Sequence, residues 1–222
     1  MKHYTSPMLA KDIDEPFDDK DWLYEIKWDG YRAIADLTTK DIALYSRNGN
    51  DFVYTYPLVV DALKKIKASV IFDGEIVVLN EEGFPDFQKI QNYENNTNFP
   101  LQYQVFDLLS LNGQSLYDVP LIERKELLRQ VIDKNNNVIK FSGHILEKGK
   151  DFFDLATEKN LEGVMAKKMD SQYYPGKRTN EWLKIKTHKT ADVIIAGYTA
   201  PTGSRSNFGS LVLGIKDGKD LK

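Results

Sequence analysis

The sequence predicts an α+β fold built on mixed, mainly antiparallel sheets, and three observations carry that expectation. Strand-like alternation and helix-like spacing are interspersed along the chain without the strict strand–helix repeat of a doubly wound parallel sheet. Apolar residues make up 41% and aromatics 12% of 222 residues, enough to bury a real core and too apolar for disorder. Turn signals at Trp28-Asp29-Gly30 and Asn48-Gly49 stand where hairpins would join neighbouring strands.

Taken in order, alternation marks strands at Leu23 to Lys27, Arg32 to Leu37, Ile42 to Arg47, Val70 to Leu79 and Leu101 to Leu109, then at Gly163 to Lys168 and Trp182 to Lys186. Helical spacing covers Tyr56 to Ile66, with Leu58, Val59, Ala62, Leu63 and Ile66 on its apolar face, and also Leu121 to Ile132 and Lys150 to Glu158. Asn92 to Asn98 reads as a polar loop. After Lys186 the composition shifts to a linker and two or three strands with a Gly/Ser/Pro-rich connection. A segment of roughly 30 residues cannot close a barrel, so the expectation is the start of a second all-β domain that the chain breaks off.

Composition excludes several functions. The net charge of -3 argues against coating nucleic acid through bulk charge and leaves room for a local basic groove. With no cysteine, disulfides, cysteine-ligated metals and thiol catalysis are excluded, and a reducing cytosol is the expected compartment. His3, His144 and His188 are too scattered to form a ligand cluster. The opening MKHYTSPMLAKDIDEPF lacks a signal-peptide core and no run reaches the ~18 apolar residues of a membrane span, so a cytoplasmic protein with no membrane partner is expected. No P-loop, G-x-G-x-x-G or G-x-S-x-G is present.

The chemistry concentrates on polar strand faces. In YEIKWDGYR, period-2 geometry turns Tyr24, Ile26 and Trp28 one way and Leu23, Glu25 and Lys27 the other, leaving Lys27 at a strand end with Asp29 and Gly30 turning the chain. In IFDGEIVV, Asp73 and Glu75 oppose Phe72, Ile76 and Val78; in WLKIK, Lys184 and Lys186 share a face with Trp182. Carboxylates from one strand and lysines from another suit a phosphate site, where lysines bind phosphoryl oxygens and carboxylates hold a bridging Mg²⁺. The alternative is a half-solvated antiparallel sheet whose polar face meets water. Glu162 falls just before a strand that Gly163 lets bend, with Met165 and Lys167 on one face of it. Phe106, amid apolar neighbours, is a core ring or, opposed by a methionine, one wall of a slot for a planar base. The stretch from Tyr173 to Lys189 holds Lys177, Arg178, Lys184, Lys186 and Lys189 among Tyr173, Tyr174 and Trp182, either a nucleic-acid surface or a solvated charge run.

In order, KWDG at 27 to 30, SRNG at 46 to 49, DGEIV at 73 to 77, VFDLL at 105 to 109, EGVMAKK at 162 to 168 and WLKIK at 182 to 186 resemble the motif series of ATP-dependent DNA ligases, within the covalent nucleotidyltransferases. TSPMLA, LIERKELL, YYPGKRTNEWLKIK and FGSLVLGI look closest to the ligase module of bacterial end-joining ligases. The resemblance implies an ATP-grasp-like nucleotidyltransferase domain at about 1 to 188 and an incomplete OB-fold domain at 189 to 222. It implies Lys27 as the nucleophile that carries AMP from ATP, with Asp29, Lys184 and Lys186 in the catalytic group, the two lysines binding phosphate and helping to keep Lys27 unprotonated. Glu25 falls where the family reads the adenine edge, and Phe106 and Met165 where it sandwiches the base. Ile26, Arg32, Arg47, Glu75 and Lys167 count among nucleotide contacts, and Glu75 and Glu162 among acids for Mg²⁺ or Mn²⁺. Nicked duplex DNA is the implied substrate, in the bacterial cytosol or nucleoid, with a monomeric enzyme and a Ku-like end-binding partner. The family's last basic motif would lie beyond Lys222, so a fragment that charges itself with AMP poorly is expected. RNA ligases and mRNA capping enzymes are the rivals inside the superfamily; a non-catalytic nucleic-acid-binding module is the rival outside it.

Overall fold

A computed structural model describes residues 5–93, 98–187, 193–201, 207–218 and 220–221. His3, His188, Lys189 and the middle of the Asn92 to Asn98 loop lie outside the described residues. The backbone divides into two compact units, Met1–Thr187 and His188–Lys222.

In chain order the first unit runs β1 (Leu9–Ile13), β2 (Asp19–Ile26), β3 (Tyr31–Asp36), β4 (Ala43–Ser46), α1 (Pro57–Leu63), β5 (Val70–Val78), α2 (Phe87–Gln91), β6 (Leu101–Leu111), β7 (Gln114–Ser115), α3 (Leu121–Val131), β8 (Ile139–Phe141), β9 (Ile145–Glu147), α4 (Gly149–Glu158), β10 (Gly163–Lys168) and β11 (Arg178–Lys186). They form a five-stranded sheet ordered β1-β11-β10-β2-β9 and a six-stranded sheet ordered β4-β3-β5-β6-β7, with β8 beside β6. Only the β1–β11 and β6–β8 pairings are parallel among those of the two sheets. The expected mixed, mainly antiparallel α+β class is therefore what forms.

Packing follows the strand faces. One apolar cluster joins the six-stranded sheet to α1 and α3 through Val59, Leu63, Phe72, Ile76 and Leu128. A second, with Tyr24, Ala156, Val164 and Ile185, joins the five-stranded sheet to α4. The third draws Leu23 and Trp182 from one sheet and Ile34, Tyr45 and Phe106 from the other, so the two sheets also share a core between them. Strands buried on both faces lose clean alternation, and Leu23, Tyr24 and Glu25 are all at most 1% exposed. The half-solvated sheet is thereby excluded for the second half of β2, where Glu25 faces protein, while Asp19, Lys20 and Asp21 at its start are exposed.

Three local expectations need correction. Trp28-Asp29-Gly30 is no hairpin: β2 pairs with β10 and β9, β3 with β4 and β5, and this segment carries the chain from one sheet to the other. Gly30 serves a close approach there, since a Cβ would stand 2.1 Å from the Ile76 carbonyl oxygen. Leu58 is 46% exposed and Val60 buried, because the face of α1 (Pro57–Leu63) turned to the core is Val59, Val60, Ala62 and Leu63, and Leu58 lies off it. Trp182 to Lys186 is the second half of a strand that begins at Arg178. Asn48-Gly49 does form a tight turn, with Gly49 at φ 82° and its N–H donating to Ser46 O at 2.9 Å.

In the second unit, β12 (Ile194–Tyr198) pairs antiparallel with β13 (Leu211–Gly214), and β14 (Lys216–Asp217) with β15 (Asp220–Leu221).

Candidate active site

A cleft between the two sheets collects most of the side chains singled out from the sequence. Its floor follows from register: Glu25, Met165 and Lys184 stand side by side across β2, β10 and β11, and Arg32 stands opposite Glu75 across β3 and β5. Residues this close in space are up to 159 positions apart in the chain, brought together because β10 inserts between β2 and β11. Glu25, Ile26, Lys27, Arg32, Arg47, Glu75, Phe106, Met165, Lys167 and Lys184 all line this cleft.

At its deep end Glu25 meets two lysines. The Lys125 amine donates to Oε1 at 2.5 Å and the Lys167 amine to Oε2 at 2.7 Å. Lys125 also donates to Ser142 O at 3.1 Å, and Lys167 lies 4.2 Å from the ring centroids of both Phe106 and Trp182. Burial by itself would raise the Glu25 pKa; the charges of Lys125 and Lys167 overcome it and hold the carboxyl below its ordinary value.

On the side wall Arg32 grips Asp73 with a two-pronged pair, Nε to Oδ1 at 2.9 Å and Nη2 to Oδ2 at 2.6 Å. The Tyr173 hydroxyl donates to Asp73 Oδ2 at 2.7 Å and accepts the Met8 N–H at 3.0 Å, so the arginine is fixed from behind. Burial disfavours the Arg32 charge, and Asp73 more than compensates, raising its pKa. Glu75 lacks such compensation. Burial pushes its carboxyl up to about 8, with Asp73 and Glu162 adding to the rise and Arg32 and Lys27 opposing it.

Lys27 follows the last residue of β2 and is anchored by its own N–H, which donates to Gly163 O at 3.0 Å. Its amine pairs with Glu162, with side chains 16% and 30% exposed. Glu162 is held in turn where the Thr187 N–H donates to its carbonyl at 3.1 Å. Gly163 makes that corner possible: it takes φ 150°, and a Cβ would come within 2.0 Å of Ile185 O. The lysines expected to discharge Lys27 pair elsewhere. Parallel β1 sets Asp12 beside Lys184, whose amine is 3.2 Å from Oδ2, while Lys186 stands 3.7 Å from Oδ1.

Asp29, Glu162 and Lys186 do not line the cleft, although Glu162 reaches it through Lys27. Leu9, Ala10, Trp28, Arg178 and Trp182 do line it without having been assigned there. Leu9 and Ala10 belong to β1, too short and too polar to show a period; Arg178 was legible only as part of a basic run. Lys125 carried no signal, since a lysine on a helix ordinarily faces water. Tyr173 and Trp182 do not belong to the exposed surface expected of that stretch: they are 2% and 1% exposed and lie in the core between the sheets, their rings being too large and apolar to leave in water beside a cluster that accepts them.

Among the described residues no group of three or more acids or histidines is placed to hold a metal. The donors present, Glu75 and Glu162, are hard carboxylates whose mutual repulsion a cation would relieve. They fit a divalent ion held jointly with substrate phosphates rather than an all-protein cage.

Residues 7–186 match the family model described as the ATP dependent DNA ligase domain. The chain is 36% identical over 218 residues to the multifunctional non-homologous end joining protein LigD of Pseudomonas aeruginosa, covering 97% of this chain and 26% of that protein. It is also 36% identical over 198 residues to the SPbeta prophage-derived DNA ligase-like protein LigB of Bacillus subtilis, covering 88% and 72%. Among solved structures, mycobacterial DNA ligase D complexed with ATP and MES superposes with a TM-score of 0.75 at 32% identity, over 98% of this chain and 70% of that one. The chain thus spans about a quarter of the LigD protein and most of LigB.

Proposed function

The chain belongs to the ATP-dependent DNA ligase family, and from that premise we propose that this cleft takes ATP, transfers AMP to Lys27, and passes it on to seal nicks in duplex DNA. The observation that supports this reading best is the convergence of Lys27 with Arg32, Glu75, Phe106, Met165 and Lys184 on one cleft between two sheets.

In this reading the adenine lies between Phe106 and Met165, with Glu25 at its edge. The Lys27 nitrogen bonds to the α-phosphorus as the bond to the pyrophosphate oxygen breaks, and the amine proton leaves to solvent or to Glu162. Lys184 and Arg47 offset the charge on the phosphate oxygens, preorganised donors being worth most where water is excluded. Glu75 and Glu162 would hold Mg²⁺ or Mn²⁺, which when bound neutralises phosphate charge. The adenylate then moves to a DNA 5′-phosphate, and the adjacent 3′-hydroxyl displaces AMP to form the phosphodiester. The exposed Lys177, Arg178 and Lys186 are candidates for backbone contacts to DNA.

Residues 189 to 222 as the opening strands of an OB-fold, a Ku-like partner, monomeric state and cytosolic location belong to the same proposal; among the described residues no helix is long and apolar enough to cross a membrane. The test is incubation with α-labelled ATP and Mg²⁺, followed by mass spectrometry and a nicked-duplex assay. A one-AMP adduct on Lys27 and joined product are expected. Labelling by GTP in preference to ATP, or joining of RNA but not DNA, would replace this reading with a capping or RNA-ligase one.

A further inference from the structure

Lys125 sits on α3, whose buried face packs on the six-stranded sheet, and its position is unusual for a lysine. Its side chain is 0% exposed, and its amine points at Glu25 Oε1 at 2.5 Å, 100 residues away in sequence. The carbonyl oxygens of Ser142 and Phe106 accept from the same amine at 3.1 and 3.4 Å. Lys167 occupies the other oxygen of Glu25. Burying two ammonium groups and a carboxylate costs several kcal/mol per ion, and a helix that needed only packing here would be as well served by Leu or Met. The charge therefore has a use.

We propose that Lys125 is a positioning residue for base selection, holding Glu25 as an acceptor-only group so that the cleft takes a purine bearing an amino group at position 6 and rejects one bearing a carbonyl. This rests on the reading of the cleft as a nucleoside triphosphate site with Glu25 at the base edge. An ionised carboxylate keeps lone pairs free on both oxygens after each has accepted one lysine bond, and it has no proton to give. An exocyclic amine donates to it; a carbonyl oxygen in the same place sets lone pair against lone pair. Without Lys125, burial is opposed by Lys167 alone, and a protonated Glu25 becomes a donor able to satisfy that carbonyl.

The test compares self-adenylation with α-labelled ATP against labelling with ITP, in which a carbonyl replaces the amino group at position 6 and N1 carries a proton. For the parent chain the ratio of kcat/KM for ATP over ITP is expected to be about 10²-fold or more. Lys125→Met is expected to lower that ratio at least tenfold, through a higher KM for ATP and a lower one for ITP, with kcat for ATP changed little because Lys125 does not contact Lys27. Lys125→Arg, which keeps the charge, should restore most of the ratio. A folded Lys125→Met that discriminates like the parent overturns the inference while leaving the ligase reading intact. A parent chain that takes label from no nucleotide overturns both. Should Lys125→Met fail to fold, Glu25→Gln is compared with Glu25→Gln/Lys125→Met, which leaves no buried carboxylate unpaired: an unchanged ratio between these two is expected if Lys125 acts through Glu25, and a further drop overturns it.

Discussion

At the deep end of the cleft one carboxylate meets two lysines out of water, and beside the cleft, through Lys184, another carboxylate meets two lysines in water: Glu25 is 1% exposed and Asp12 59%. Each cluster sets one carboxylate against two lysines, a glutamate in the first and an aspartate in the second. The contacts differ, since Glu25 is bonded at 2.5 and 2.7 Å, whereas Asp12 lies 3.2 and 3.7 Å from its partners. Buried charges must be fully paired or the fold suffers, so the deep cluster is architecture. Exposed pairs are screened and weak, so in the proposed reaction Lys184 leaves Asp12 for an incoming phosphate at little cost. Lys27 with Glu162, at 16% and 30% exposed, falls between the two, partly desolvated yet open to substrate. Burial of the acid, 0–1% exposed for Asp73 and Glu25 against 30% for Glu162 and 59% for Asp12, thus separates the pairs that shape the cleft from those that the proposed reaction uses.

Four substitutions and one titration sharpen that contrast. Lys27→Ala should abolish covalent labelling, by about 10³-fold or more, without moving the thermal midpoint appreciably; residual labelling at another lysine would break the assignment. Arg32→Met leaves Asp73 charged and buried, and should cost about 3–5 kcal/mol in urea unfolding. A loss near zero would mean that the wall tolerates an unpaired carboxylate and that the architecture reading of buried pairs is wrong. Lys184→Met should slow labelling about 10²-fold with stability unchanged, as expected of a charge that acts rather than supports.

The titration concerns Glu75. Its folded pKa, about 8, lies above the ordinary 4.5, so between those values the folded state binds more protons than the unfolded one, and stability falls as pH rises through that window. Melting points taken from pH 5 to pH 8 should decline by roughly 5 °C, and Glu75→Gln should flatten the slope. An identical slope in the variant assigns the effect to another group. The smallest change is expected at the exposed cluster. Asp12→Asn should leave the melting point within about 2 °C of the parent, because the pair it breaks is solvated; a marked drop would place Asp12 among the architectural charges.

Much of the fold was legible because long strands keep their period. Gly163 to Lys168 coincides with β10, and Val70 to Leu79 and Arg32 to Leu37 fall within one residue of β5 and β3. The strands β1, β7, β8 and β9 run two to five residues, too few for alternation to rise above composition. The turn at Trp28-Asp29-Gly30 was readable as a turn but not as a crossing, since a glycine after an aspartate marks where a chain bends and not which sheet it enters. The candidate site was legible partly in strand parity, which singled out Lys27, Glu75, Met165 and Lys184, and partly in the motif resemblance, which added Arg32 and the base-sandwich role of Phe106; all six line one cleft. Lys125 and β1 were not, for their contribution lies wholly in what they touch.

The sequence by itself determined which side chains share a strand face, because that depends only on the two-residue repeat of the extended backbone. It also set which glycines could serve as corners. Only the tertiary structure decided that β10 lies between β2 and β11, which polar side chains are closed off from water and which stay open to it, and which lysine each carboxylate meets. Those outcomes depend on strand order and on exclusion of solvent. Both are properties of the assembled sheets, and no local stretch of the chain contains them.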